Sequence, residues 1–120
     1  MSMGALGDSF YEYLLKAWIQ SNKEDIEARK MYDESIAAIE KYLLQRSKSG
    51  LVYLADMKYD RLEHKMDHLA CFAGGLFALG AQSLESPEKE RITQIGADIT
   101  NTCHESYIRT DTKLGPESFR

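Results

Sequence analysis

The sequence predicts an all-α chain with one small β-hairpin set between two pairs of helices. Apolar residues recur at three- and four-residue intervals through most of its length. One stretch, "LVYLADMKY", alternates instead, as a strand does. Helix punctuation falls between the periodic segments, with Asn22 before one and Ser86-Pro87 before another.

The first helix is expected from about Ser9 to Gln20. Phe10, Tyr13, Leu14, Ala17 and Trp18 form its apolar stripe, and Asp8, Glu12 and Lys16 lie four apart on another. The second is expected from about Glu24 to Arg46, capped by Asn22. Ile26, Tyr32, Ile36, Ile39 and Leu43 form its apolar face, and Ser47 to Gly50 end it. Leu51 to Tyr59 then reads as a strand, Asp60 and Arg61 as a turn, and Leu62 to Lys65 as the returning arm. The third helix is expected from Met66 or Asp67 to at least Ala81. "HLACFAGGLFALGA" is apolar nearly all round, so this helix is buried, with Cys71, Gly75 and Ala78 as a small-residue stripe for a neighbouring helix. In the fourth, Ser86 is the expected N-cap and Pro87 the first helical residue, with Ile92, Ile95, Ile99 and Cys103 on one face. The pattern fades after Tyr107.

A length of 120 residues allows one domain at most and is enough to bury a real core. With 43% hydrophobic and 28% charged residues, the composition is that of a soluble globular chain. A formal net charge of -4 argues against a nucleic-acid partner. No apolar run is long enough to span a membrane, and Met1 to Gly4 does not read as a signal peptide. No zinc pattern is present, and no metal-ligand set is expected in this chain.

Asp8 and Glu12 share a helix face, where paired carboxylates can divide acid and base roles. The plainer reading is that Asp8 caps the helix and Glu12 pairs with Lys16. His64 and His68 are four apart, but no third ligand accompanies them. Cys71 and Cys103 fall on consecutive helices. At 1.5 Å per residue, Cys71 lies roughly 15 to 20 Å before one helix end and Cys103 about 24 Å into the next. The two could meet, or remain unpaired core cysteines. Gly115-Pro116 reads as loop punctuation.

Three strings, "GDSFYEYLLKAW", "HLACFAGGLFALGA" and "CHESYIRTDTKLGPESFR", resemble in this order the class I α1,2-mannosidases. These are inverting, calcium-dependent glycoside hydrolases that trim high-mannose N-glycans. The resemblance runs from Gly4 to Arg120. It implies that residues 1–120 are an internal segment of a barrel of seven αα pairs with small hairpins. By the family's "DSxYEY" pattern, Asp8 is one of three catalytic carboxylates, positioning water or relaying a proton. Glu12, one turn later, lies toward the substrate. His68 matches a histidine that faces the bound sugar, and Glu117 the acidic residue of an "L-x-P-E" turn on the substrate side. Cys71 and Cys103 match the family's disulfide pair, which implies an oxidising lumen. Leu6 departs from the endoplasmic-reticulum members, which carry Arg there, and matches Golgi members.

The same resemblance places the general acid before Met1, and the general base and a calcium-binding threonine after Arg120. The chain alone is therefore expected to be inactive. The expected location is the Golgi lumen, with a membrane anchor only in the N-terminal part of the parent. Two rival readings remain: an autonomous helical interaction module, in which Asp8 is only a cap, and a folded, inactive glycan-binding fragment.

Overall fold

The computed structural model describes residues 8–59, 61–83 and 87–119. Leu6, the Asp60 turn and the Ser86 cap lie outside the described residues. The chain is mostly helical with small strand pairs, and runs α1 (Asp8–Gln20), α2 (Ile26–Tyr42), β1 (Leu44–Arg46), β2 (Val52–Leu54), β3 (Asp56–Lys58), β4 (Arg61–Glu63), β5 (Met66–Asp67), a 3-10 turn (His68–Phe72), α3 (Ala73–Ser83), α4 (Lys89–Ile108) and β6 (Ser118–Phe119).

Helix α1 buries Leu15 and Trp18, with Tyr11, Leu14 and Ile19 packed beside them. This corrects the expected stripe. Phe10 and Tyr13 are 52% and 67% exposed. Two apolar stripes share Leu14 and Trp18, and the one containing the bulkier Leu15 rather than Ala17 faces the core. The Arg29 guanidinium lies 4.8 Å over the Trp18 ring.

The α1–α2 link corrects the expected cap. Asn22 and Lys23 take left-handed backbone angles, and Asp25 caps α2 by accepting from the Ala28 N–H at 3.0 Å. Helix α2 buries Tyr32, Ile36 and Ile39, while Ile26 is exposed at its first turn. It stops at Tyr42 instead of Arg46. The Leu43 carbonyl accepts from Ala55 N–H at 2.9 Å, and Leu44 to Arg46 pair antiparallel with Leu54 to Val52. The hairpin takes up backbone groups that another helical turn would have used. Ser47 to Gly50 are its turn, with Gly50 at φ 92°.

The expected single strand is two. Val52–Leu54 pairs with β1, and Asp56–Lys58 pairs with Arg61–Glu63, the break falling at fully buried Ala55. Met66 and Asp67 are also a strand, paired with Phe119 and Ser118, where a helix start was expected.

The 3-10 turn has consequences for α3. Three residues per turn instead of 3.6 slip the phase counted from Met66. Gly74, not Gly75, therefore faces α4, and Gly75 has open space around it. The pairing of Gly74 with Thr100 and Gly96, and of Ala78 with Gly96, makes α3 and α4 antiparallel. Pro87 lies in the turn before α4 and not at its first helical position, and Glu88 flanks the helix without a side-chain cap bond. Ile95, Ile99 and Cys103 are buried as expected, and the Thr102 hydroxyl donates to the Val52 carbonyl at 2.5 Å, tying α4 to the first hairpin. Among the described residues no helix is long and apolar enough to cross a membrane.

Candidate functional site

The short β5–β6 pairing builds an edge from residues far apart in sequence. Met66 pairs with Phe119 and Asp67 with Ser118, and the His68 N–H then donates to the Glu117 carbonyl at 2.7 Å. The chain returns to this edge through a braced turn after α4. Lys113 takes a left-handed angle, and its ammonium donates to the Ile108 carbonyl at 2.8 Å, one of the acceptors a helix C-terminus leaves open.

His68, half-buried, hydrogen-bonds through Nε2 to the Tyr107 hydroxyl. The two rings meet edge to face, with centroids 5.4 Å apart and planes at 90°. Gly115 closes over both. A Cβ there would fall 2.7 Å from Tyr107 Cε1 and 3.1 Å from His68 Cδ2 and Nε2, so this position needs glycine for close approach. One rung further, Cys71 and Cys103 are joined, with Cα atoms 6.1 Å apart, so of the two readings left open by spacing the disulfide is the one found.

Glu117 and Asp67 line an open cleft of about 380 Å³ with Lys65, Leu69 and Ser118. Lys65 Nζ lies 4.0 Å from Asp67 Oδ1. Two carboxylates and an ammonium suit a ligand rich in hydroxyl groups, each of which both donates and accepts. Two other clefts, about 350 Å³ between α2 and α4 and about 330 Å³ beside the first hairpin, have neither Glu12 nor Glu117 in their walls, and His68 lines none of the three.

His68 and Glu117 thus come together. Asp8 is the first described residue of α1, and its side chain lies outside the described residues. Glu12 accepts from Lys16 Nζ at 2.5 Å, the plainer of the two readings of that side chain. Helix α1 packs on the 3-10 turn that carries His68. His64 hydrogen-bonds through Nδ1 to the Tyr53 hydroxyl at 2.7 Å, and among the described residues it joins His68 in no group of three or more metal-ligating side chains. Tyr107 was missed in the sequence. Its signal was spacing: it follows Cys103 by one helical turn, as Cys71 follows His68 by one 3-10 turn.

The family described as Glycosyl hydrolase family 47 matches residues 1–120. The chain belongs to that family. The membership bears out the resemblance to class I α1,2-mannosidases. Among its family 47 relatives, mannosyl-oligosaccharide alpha-1,2-mannosidase IA of Drosophila melanogaster is 61% identical over 120 residues, covering 100% of this chain and 18% of that protein. Mannosyl-oligosaccharide 1,2-alpha-mannosidase IB of Homo sapiens is 59% identical over 119 residues, 99% of this chain and 19% of that protein. The chain therefore spans about a fifth of the length of these relatives. The solved structure of an alpha-1,2-mannosidase from Trichoderma reesei superposes with a TM-score of 0.85 at 23% identity, over 98% of this chain and 24% of that one. That likeness is one of fold.

Proposed function

We propose that this chain is an internal segment of the catalytic domain of an inverting α1,2-mannosidase, whose parent removes α1,2-linked mannose from high-mannose N-glycans. The observation that carries the reading is the His68–Glu117 contact. Both residues match the family's substrate-side pattern, and here they meet beside a cleft lined by carboxylates. Relatives of 55–61% identity that bear the mannosidase name support the reaction.

In this reading α1 to α4 are consecutive helices of a barrel of seven αα pairs. Exposed Phe10, Tyr13 and Ile26 are surfaces that further helices of the parent cover. Asp8 is the segment's catalytic carboxylate, orienting water or relaying its proton. Glu12, His68 and Glu117 hold glycan hydroxyls, and Leu6 sets the Golgi-type branch preference. Inversion needs an acid and a base roughly 6.5 to 9.5 Å apart, with water between. Both come from the rest of the parent.

Among the described residues no group of three or more His, Cys, Asp or Glu side chains is placed to hold a metal ion. The expected calcium belongs to a threonine beyond Arg120. The disulfide supports a secretory lumen, with the Golgi as the proposed compartment. A membrane anchor belongs to the N-terminal part of the parent.

The test is Asp8→Asn in the full-length parent. Turnover of a high-mannose glycan should fall by about 100-fold or more with the melting temperature unchanged. Normal turnover would remove Asp8 from the mechanism. The 120-residue chain alone should release no mannose, and release by the bare chain would overturn the segment reading.

A further inference from the structure

We propose that Tyr107 is a positioning residue for His68. Its hydroxyl holds the imidazole in the tautomer that carries the proton on Nδ1, leaving that N–H to donate to a glycan hydroxyl. The inference rests on the proposed role of His68 at the sugar.

Imidazole has two nitrogens, and the hydrogen bond made by one sets the protonation of the other. Tyr107 occupies Nε2. A phenol is the better donor of the two groups and an unprotonated imidazole nitrogen the better acceptor, so the bond runs from Oη–H to Nε2. Neutral His68 then bears its proton on Nδ1. Among the described residues Nδ1 has no hydrogen-bond partner.

The surroundings fix the ring as well as its proton. The perpendicular contact with Tyr107 sets the plane. Gly115 leaves no room for the imidazole to swing toward the C-terminal turn. The backbone is held on one side by the bond from His68 N–H to Glu117 and on the other by the Cys71–Cys103 disulfide. The disulfide and the His68–Tyr107 bond are adjacent rungs between the same two elements, spanning 32 and 39 residues of sequence. A ring so placed is pre-organised as a donor and gives up little freedom when a sugar binds.

The experiment uses the full-length protein with 15N-labelled histidine. Long-range proton–nitrogen correlation should show His68 with Nδ1 protonated and Nε2 bare. A neutral imidazole without such a partner prefers the opposite tautomer. In Tyr107→Phe the signal should move to the Nε2–H form. The kcat/KM for a high-mannose glycan should fall about tenfold, chiefly through KM, because the donor is used on binding. Gly115→Ala, which presses on both rings, should give a similar loss.

A wild-type His68 protonated on Nε2 overturns the proposal, and that reading needs no variant to fold. So does a Tyr107→Phe protein with unchanged tautomer and unchanged kcat/KM. His68→Ala separates the two levels. If it lowers activity while Tyr107→Phe does nothing, the substrate role of His68 stands and the role of Tyr107 falls. If His68→Ala is also silent, both fall.

Discussion

Gly96 of α4 lies against Gly74 of α3 so closely that a Cβ on Gly96 would sit 2.8 Å from the Gly74 carbonyl oxygen. The obstacle is backbone, which cannot rotate away as a side chain can. In the full-length parent, Gly96→Ala should therefore destabilise the fold by about 1–3 kcal/mol, read as a drop in melting temperature. Gly75→Ala is the control. Gly75 sits in α3 with open space around it, so the added methyl should stabilise by about 0.5–1 kcal/mol through helix propensity alone. Equal effects from the two variants would contradict the close packing.

The disulfide joins residues 32 apart in sequence. Closing a loop of that length removes chain entropy from the unfolded state worth about 4 kcal/mol in the chain-entropy model. In the full-length parent, Cys71→Ala with Cys103→Ala should lower the melting temperature markedly. Reductant should do the same to the wild type and nothing further to the double variant.

Tyr32 supplies an alkaline signature. It is 3% exposed, and burial first, then the neighbouring Asp33 and Glu40 carboxylates, push its phenol above the ordinary value of 10.0, with Arg29 opposing. The protonated form is favoured in the folded state. Its contribution to stability is therefore complete below pH 10, where the unfolded phenol is also protonated, and declines as pH rises from there toward the folded pKa. Tyr32→Phe should flatten the loss of stability above pH 10 in a denaturation series. An unchanged slope would place that loss elsewhere.

Far-ultraviolet circular dichroism of the 120-residue chain, melted with and without reductant, separates the barrel segment from the autonomous module. Exposed Phe10, Tyr13 and Ile26 lead us to expect a shallow, non-cooperative melt. A sharp transition lowered by reductant would favour the interaction module.

Helix positions were legible where one apolar face was much stronger than the rest. Ile95, Ile99 and Cys103 of α4 and Tyr32, Ile36 and Ile39 of α2 are buried as their spacing predicts. Helix α1 misled because it carries two overlapping stripes, and spacing cannot weigh Leu15 against Ala17. The boundaries of α2 and α3 misled because tertiary pairing overrode local pattern. Leu44 to Arg46 are claimed by Val52 to Leu54, and Met66 and Asp67 by a strand at the other end of the chain. The candidate site was legible only through motif likeness. Nothing in the local sequence places Glu117 beside His68 or Tyr107 on its ring, since both contacts depend on the β5–β6 pairing and the register of α4 against the 3-10 turn.

The spans of those two rungs also set an order of events during synthesis. Cys71 leaves the ribosome 32 residues ahead of its partner, and His68 waits 39 residues for Tyr107. Helices α1 and α2 can pair early, but the edge that holds His68 cannot form until Glu117 to Phe119, beyond α4, have emerged. A nascent chain that spends Cys71 on the wrong thiol in that interval would lose the covalent rung that ties the 3-10 turn to α4.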